Sequence, residues 1–191
     1  MRIGVLAMQG AFREHVNAFR RCGCEAVEVR TPEELEEVAA LAIPGGESTA
    51  ITRLLRSFGL WDALLKRGAE GLPILATCAG VIILAREIVG SDQVSLGLVD
   101  VAVRRNAYGR QVDSFETELK VEALGTEPVP AIFIRAPLIE SVGPKVEVLA
   151  RYREDAVLVR QGRILAATFH PELTADLRLH QYFLEMAEGK R

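Results

Sequence analysis

The 191-residue sequence predicts an α/β fold: a three-layer, flavodoxin-like central mixed sheet with helices on both faces and antiparallel additions in the second half. Two patterns predict it. Through the first half, short apolar runs rich in β-branched residues alternate with helical patterns, which argues for a parallel sheet covered on both faces. In the second half, strand-like runs follow one another across turn residues before a single closing helix, which argues for antiparallel strands.

The elements follow in order. "RIGVLAM" reads as a strand, "AFREHVNAFRRCG" as an amphipathic helix ending at Gly23, and "EAVEVR" as a second strand. "TPEELEEV" opens a helix with Thr31 as cap, Pro32 in the first turn and acidic residues near the positive end of the helix dipole. "ALAIP" is a third strand, and "STAITRLLRSFGLWDALLKRGAEG" is helical with a break near Gly59. "PILAT" is a strand that runs into Cys78, after which a helix begins. "LVDVAVRR", "TELKVEAL", "AIFIRAP", "VEVLARY", "AVLVRQG" and "ILAATF" read as strands, and "ADLRLHQYFLEMAEG" as the closing amphipathic helix. No repeat, low-complexity stretch or linker interrupts them, so residues 1–191 are expected to form one domain.

Composition narrows the function classes. A hydrophobic fraction of 49% and a charged fraction of 26% are ordinary for a globular chain. A net charge of −3 and a pI near 5.7 give no electrostatic reason to expect nucleic acid or an anionic membrane as partner. No apolar run approaches the roughly 18 residues that span a bilayer, and "MRIGVLAMQG" gives way too quickly to "FREH" for a secretory signal. The expectation is a cytoplasmic protein. With three cysteines and three histidines scattered along the chain, neither a metal nor another cofactor is expected. Cys22 and Cys24, one residue apart, suit neither a relaxed disulfide nor half a zinc site. His15 and His180 fall within helical patterns and are expected at the surface or in an interface.

Ligands of open α/β sheets bind beyond the carboxyl ends of the strands. Four such ends carry polar or glycine-rich residues: Gln9-Gly10, Pro44-Gly45-Gly46-Glu47-Ser48, Cys78, and His170-Pro171-Glu172. Cys78 sits in Ala76-Thr77-Cys78-Ala79-Gly80, the small-x-nucleophile-x-Gly form of a nucleophile elbow with alanine in the first position. A thiol there gains from helix N-terminal amides, although a packed core cysteine is the competing reading. His170, at a strand end that Pro171 terminates, can serve as base, and Glu172 can orient the ring; taken singly, each reads equally as a loop residue. Acyl transfer also needs oxyanion donors, and the amides of Gly46 and Ala79 are the natural pair. The same "PGGES" can be a tight turn with Ser48 as helix N-cap.

Together these motifs resemble the class I, triad-type glutamine amidotransferases. "LAMQGAFREH", "PGGEST", "RNAYGRQVDSFE" and "FIRAP" narrow the resemblance to the glutaminase subunits of pyridoxal 5′-phosphate synthases, from Ile3 to Phe183. The resemblance implies an enzyme that hydrolyses L-glutamine to glutamate and ammonia. It further implies delivery of the ammonia to a separate synthase subunit that builds the vitamin B6 cofactor. Carried over by motif, the glutamine contacts are Gly46, Glu47, Ser48, Arg105, Ile134 and Arg135. Docking of the synthase on the charged helix face with Arg13, Glu14, Arg20 and Arg21, gated through Gln9 and Gly10, is the accompanying expectation. A papain-like peptidase fits less well, because its nucleophile lies in a different local motif. A non-catalytic interaction domain or thiol sensor has no need of a full triad.

Overall fold

Five parallel strands form the centre of the sheet: β1 (Arg2–Leu6), β2 (Glu25–Val29), β3 (Ala40–Ile43), β4 (Ile74–Thr77) and, much later in the chain, β12 (Ile164–Ala167). Their spatial order, β2-β1-β3-β4-β12, is the flavodoxin-like arrangement, with its reversal of direction between β1 and β3. The computed structural model describes residues 1–105 and 114–191, so positions 106–113 of the "RNAYGRQVDSFE" stretch lie outside the described residues.

The antiparallel additions extend the sheet from β12. Next to it lies β11 (Asp155–Gln161), which pairs with both β10 (Glu147–Tyr152) and β9 (Leu138–Val142). β9 carries β6 (Val99–Arg104), and β5 (Ala85–Ile88) closes that edge in parallel with β6. Among the described residues the main sheet has ten strands, and β7 (Ser114–Leu119) pairs with β8 (Val129–Ile134) as a separate hairpin.

Every residue of β3, β4 and β12 is buried, as strands covered on both faces must be. Alternation sorts them. Leu75, Leu165, Ile3 and Val5 pack on one side with Val16 and Phe19 of α1 (Phe12–Arg21) and Leu179 and Phe183 of α6 (Arg178–Ala187). Ile74, Leu41 and Ile43 point the other way. They meet Leu35 of α2 (Pro32–Glu36), Ile51 and Leu55 of α3 (Ser48–Ser57), Leu64 of α4 (Leu60–Ala69) and Ile83 of α5 (Ala79–Leu84). The three layers are thus as expected.

Local signals were read correctly where side chains act on their own backbone. Thr31 and Glu34 form a reciprocal capping box at α2, and Gly59, at φ 70°, separates α3 from α4. One expectation is corrected. Ser48 is not the cap of α3; Glu47 is, accepting from the Thr49 N–H at 3.2 Å, while Ser48 is the first helical residue. The helix after Cys78 ends at Leu84, and the chain passes directly into β5, because "VIILA" is buried without a polar break to mark the change. Among the described residues no helix is long and apolar enough to cross a membrane.

Candidate active site

The polar ends of β1, β3, β4 and β12 meet at one cavity of about 310 Å³. Gln9, Gly10, Gly46, Glu47, Ser48, Cys78, Ala79, Arg105, Ile134, Arg135 and His170 all line it. Of the residues expected in the triad, the glutamine contacts, the oxyanion hole and the gate at Gln9 and Gly10, Glu172 alone lies behind that lining, against the His170 ring.

Cys78 joins β4 to α5 with φ 48° and ψ −107°, a left-handed backbone at a non-glycine residue. Such a conformation costs about 1–3 kcal/mol and persists only when its surroundings impose it. Here the Cys78 N–H donates to the Ala167 carbonyl at 2.8 Å, tying the corner to β12. A Cβ on Gly80 would fall 2.4 Å from the Ile43 carbonyl oxygen, so glycine is what lets α5 approach β3. The Cys78 thiol faces the Ile134 carbonyl at 3.7 Å. Ala79 begins α5, where the first amides lack intrahelical acceptors.

His170 is held from two directions. Its N–H donates to the Ile132 carbonyl at 2.8 Å, and its Nδ1 lies 2.7 Å from Glu172 Oε1 on the short 3₁₀ turn Pro171–Leu173. Burial opposes a charge on His170, but hydrogen bonds to Cys78 and Glu172, and their charges, override it and raise its pKa to about 10. Burial likewise opposes ionisation of Glu172, yet His15 and His170 hold its carboxyl below the usual range. The β3–α3 loop reaches this pair because Gly45 has no side chain: a Cβ there would sit 2.4 Å from His170 Cε1 and 3.1 Å from Cys78 Cβ.

The opposite wall is a polar network. Gln9 Oε1 accepts from the Glu47 N–H at 2.6 Å, and the Ala11 N–H donates to the Gly45 carbonyl at 3.1 Å. These two bonds tie the end of β1 and the start of α1 to the "PGGES" loop. Arg105 donates to Glu47 Oε1 at 3.1 Å and to Gln93 Oε1 at 2.8 Å, and Ser48 Oγ donates to the same Gln93 oxygen at 3.1 Å. Burial pushes the Glu47 carboxyl up, but its bonds to Thr49 and the charges of Arg105 and Arg135 bring it below its ordinary value. Arg135, at φ 41°, follows the exposed Ile134.

Sequence reasoning missed Gln93, a loop glutamine with no pattern around it. It also misplaced two histidines. His15 and His180 are both fully buried, and His15 Nε2 lies 3.0 Å from Thr77 Oγ1 and 3.3 Å from Glu172 Oε2. Their helices are amphipathic, but both histidines occupy the core-facing stripe among Val16, Phe19 and Phe183. Cys22 and Cys24 lie at the far end of α1, half-buried and unbridged. Among the described residues no group of three or more His, Cys, Asp or Glu side chains is placed to hold a metal ion.

The comparisons with known proteins converge. The chain is 60% identical over 185 residues to the "Pyridoxal 5′-phosphate synthase subunit PdxT" of Pelotomaculum thermopropionicum, covering 97% of this chain and 94% of that one. It is 54% identical to the protein of the same name from Kosmotoga olearia over the full length of both. The crystal structure of a glutamine amidotransferase superposes with a TM-score of 0.93 at 55% identity, covering 97% of this chain and 98% of that one. Residues 5–189 match the family model described as the SNO glutamine amidotransferase family, and to that family the chain belongs.

Proposed function

We propose that this single-domain chain is the glutamine-hydrolysing subunit of a pyridoxal 5′-phosphate synthase, and that Cys78, His170 and Glu172 are its catalytic triad. One observation carries the reading: a strained cysteine corner shares a cavity with a histidine that is itself paired with a buried carboxylate. The names of its relatives, synthase subunits, support the partner.

The chemistry follows from the side chains. The Cys78 thiolate, opposite an imidazolium, adds to the side-chain amide carbon of L-glutamine. The N–H groups of Ala79 and Gly46 donate to the developing oxyanion. His170 then gives its proton to the amide nitrogen, the C–N bond breaks, and ammonia leaves a γ-glutamyl thioester. Water enters, His170 takes its proton, and the hydroxide adds to the thioester. The C–S bond breaks, restoring the thiolate and imidazolium, and glutamate departs after its new carboxyl group loses a proton to solvent.

Arg105 is the proposed partner of the substrate α-carboxylate, with Glu47, Ser48, Ile134 and Arg135 shaping the rest of the pocket. A charge-assisted hydrogen bond contributes about 1.5–3 kcal/mol, and Arg105 would serve ground state and transition state alike. Arg105→Ala is therefore expected to raise KM for glutamine roughly 10- to 100-fold with kcat largely retained. Steady-state kinetics with the partner present check this, and a loss confined to kcat would remove Arg105 from substrate binding.

Ammonia set free in neutral water becomes ammonium, which is no nucleophile, so hydrolysis is useful only when the acceptor enzyme is docked. The gating proposal uses the bonds that join Gln9 and Ala11 to the Gly45–Glu47 loop. Contact on the exposed face of α1, which carries Arg13, Glu14, Arg20 and Arg21, would reset that loop and bring the Gly46 amide to the oxyanion. Glutamate release should be low for the isolated chain, rise when the synthase is added, and respond less to it in Arg20→Glu/Arg21→Glu. No glutamate release from the assembled pair would end the glutaminase reading. Equal rates with and without the synthase would end the gating alone.

A further inference from the structure

Behind the triad runs a second polar chain that the reaction steps do not use. Glu172 Oε1 meets His170, while Glu172 Oε2 is buried, has no well-aligned hydrogen bond among the described residues, and lies 3.3 Å from His15 Nε2. The same His15 nitrogen is 3.0 Å from Thr77 Oγ1, which accepts from the Gly45 N–H at 3.2 Å. On its other edge, His15 Nδ1 is 3.1 Å from His180 Nε2, and among the described residues His180 Nδ1 has no partner.

Burial selects one arrangement of protons. An ionised Glu172 presents only acceptors, so a bare His15 Nε2 facing it would set lone pair against lone pair. A proton on His180 Nδ1 would be a buried donor with no acceptor among the described residues, a costly state. Both problems vanish when the two rings are neutral with hydrogen on Nε2. His180 Nε2–H then donates to His15 Nδ1, and the His15 Nε2–H edge faces Thr77 and Glu172. The neutral state agrees with full burial, which pushes both rings down, His180 to about 3. The charged or titratable groups facing them are Glu172, His170 and Glu14 around His15, and Glu172, Arg21 and Asp176 around His180.

We propose that His15, locked into one tautomer by His180, is a positioning residue of the triad: its Nε2–H edge holds the Glu172 carboxylate ionised and turned toward His170. Because His15 sits on α1, the same contact ties that helix to Thr77, the residue before Cys78, and through Thr77 to the Gly45 amide. This inference rests on the glutaminase reading.

The test uses the full chain with its synthase partner, in His15→Leu, His15→Gln and His180→Leu forms. Two quantities are read: glutamine kinetics, and the pH at which iodoacetamide alkylates Cys78 half-maximally, followed by mass spectrometry. His15→Leu should lower kcat about 10- to 100-fold, the scale on which the outer hydrogen-bond partners of metal-site ligands act, with little change in KM. It should also move the Cys78 alkylation midpoint upward by about one pH unit, a tenfold effect, because a poorly held Glu172 supports the imidazolium less. His15→Gln, which keeps an N–H donor on a side chain of similar reach, should recover most of both. His180→Leu frees the His15 tautomer and should act in the same direction with smaller size.

A folded His15→Leu protein with wild-type kcat and an unmoved alkylation midpoint would overturn the proposal. So would a His15→Gln variant no better than His15→Leu. If His15→Leu does not fold, His180→Leu decides: unchanged kinetics and midpoint overturn the proposal, and a shift in both supports it. Failure of the glutaminase reading is recognised separately, since an inactive wild-type complex would leave the alkylation midpoint as a free readout of the His15 effect.

Discussion

Cys78→Ala is expected to leave the fold intact and to lower glutamine hydrolysis by about 10⁴-fold or more, the scale on which a lost nucleophile acts. The fold should survive because the side chain contributes little to packing. Its thiol faces the Ile134 carbonyl and the His170 ring at the cavity, and what fixes the corner is the backbone bond from Cys78 to Ala167. Alanine keeps that bond and leaves the approach of α5 at Gly80 unchanged. Activity should vanish because neither Cys22 nor Cys24 can substitute: both lie at the far end of α1, and burial and Cys24 push the Cys22 thiol up, away from the reactive thiolate. A glutamine-like electrophile offered to the wild-type complex should mark Cys78 alone. Circular dichroism, glutamate release and peptide mapping of the label check the three parts. Label found mainly on Cys22 or Cys24 would remove Cys78 from the reaction path.

The elements most legible in the sequence were those whose signal is local. Thr31, Pro32 and Glu34 announce α2 through backbone capping, and Gly59 breaks a helical run because its backbone turns left-handed there. The cavity was legible for a different reason. In a parallel sheet all carboxyl ends face one edge, so polar residues after β1, β3, β4 and β12 must meet, however far apart in sequence. What escaped depended on tertiary context alone. β9 has one buried residue and three exposed ones, too little alternation to mark a strand. His15 and His180 were misplaced because a histidine on a helix reads as polar, and only the packing of α1 against α6 and Glu172 reveals that both face inward. Gln93 reaches Arg105 and Ser48 from a loop whose path no local pattern encodes.

Glu172→Gln is expected to lower kcat by about 10⁴-fold, the loss seen when the acid of a triad becomes an amide, while KM for glutamine stays nearly unchanged. The amide is nearly isosteric, so the pocket keeps its shape, but two things are lost. The negative charge that helps raise His170 to about 10 disappears, and a side chain able to donate as well as accept no longer specifies the tautomer of the ring. His170→Ala, which removes the proton carrier for both half-reactions, should be at least as severe. A rise in KM alone for Glu172→Gln would make the carboxylate a substrate ligand instead. The same pair also shapes stability against pH. His170 is raised above its ordinary 6.5, so the stability its charge contributes is complete below that value and is lost as pH rises through about 10. Glu172 is lowered from its ordinary 4.5, so its contribution is present above that value and is lost as pH falls through its folded-state value. The contribution of the ion pair is therefore complete between the two ordinary values, 4.5 and 6.5, and chemical denaturation of the wild-type chain should show a plateau there that falls on both sides. In Glu172→Gln the acid-side contribution of this group is absent and His170 returns toward its ordinary range, so the alkaline fall should be smaller and end at lower pH. An alkaline fall of the same size and upper end in both proteins would mean that Glu172 does not hold the charge on His170.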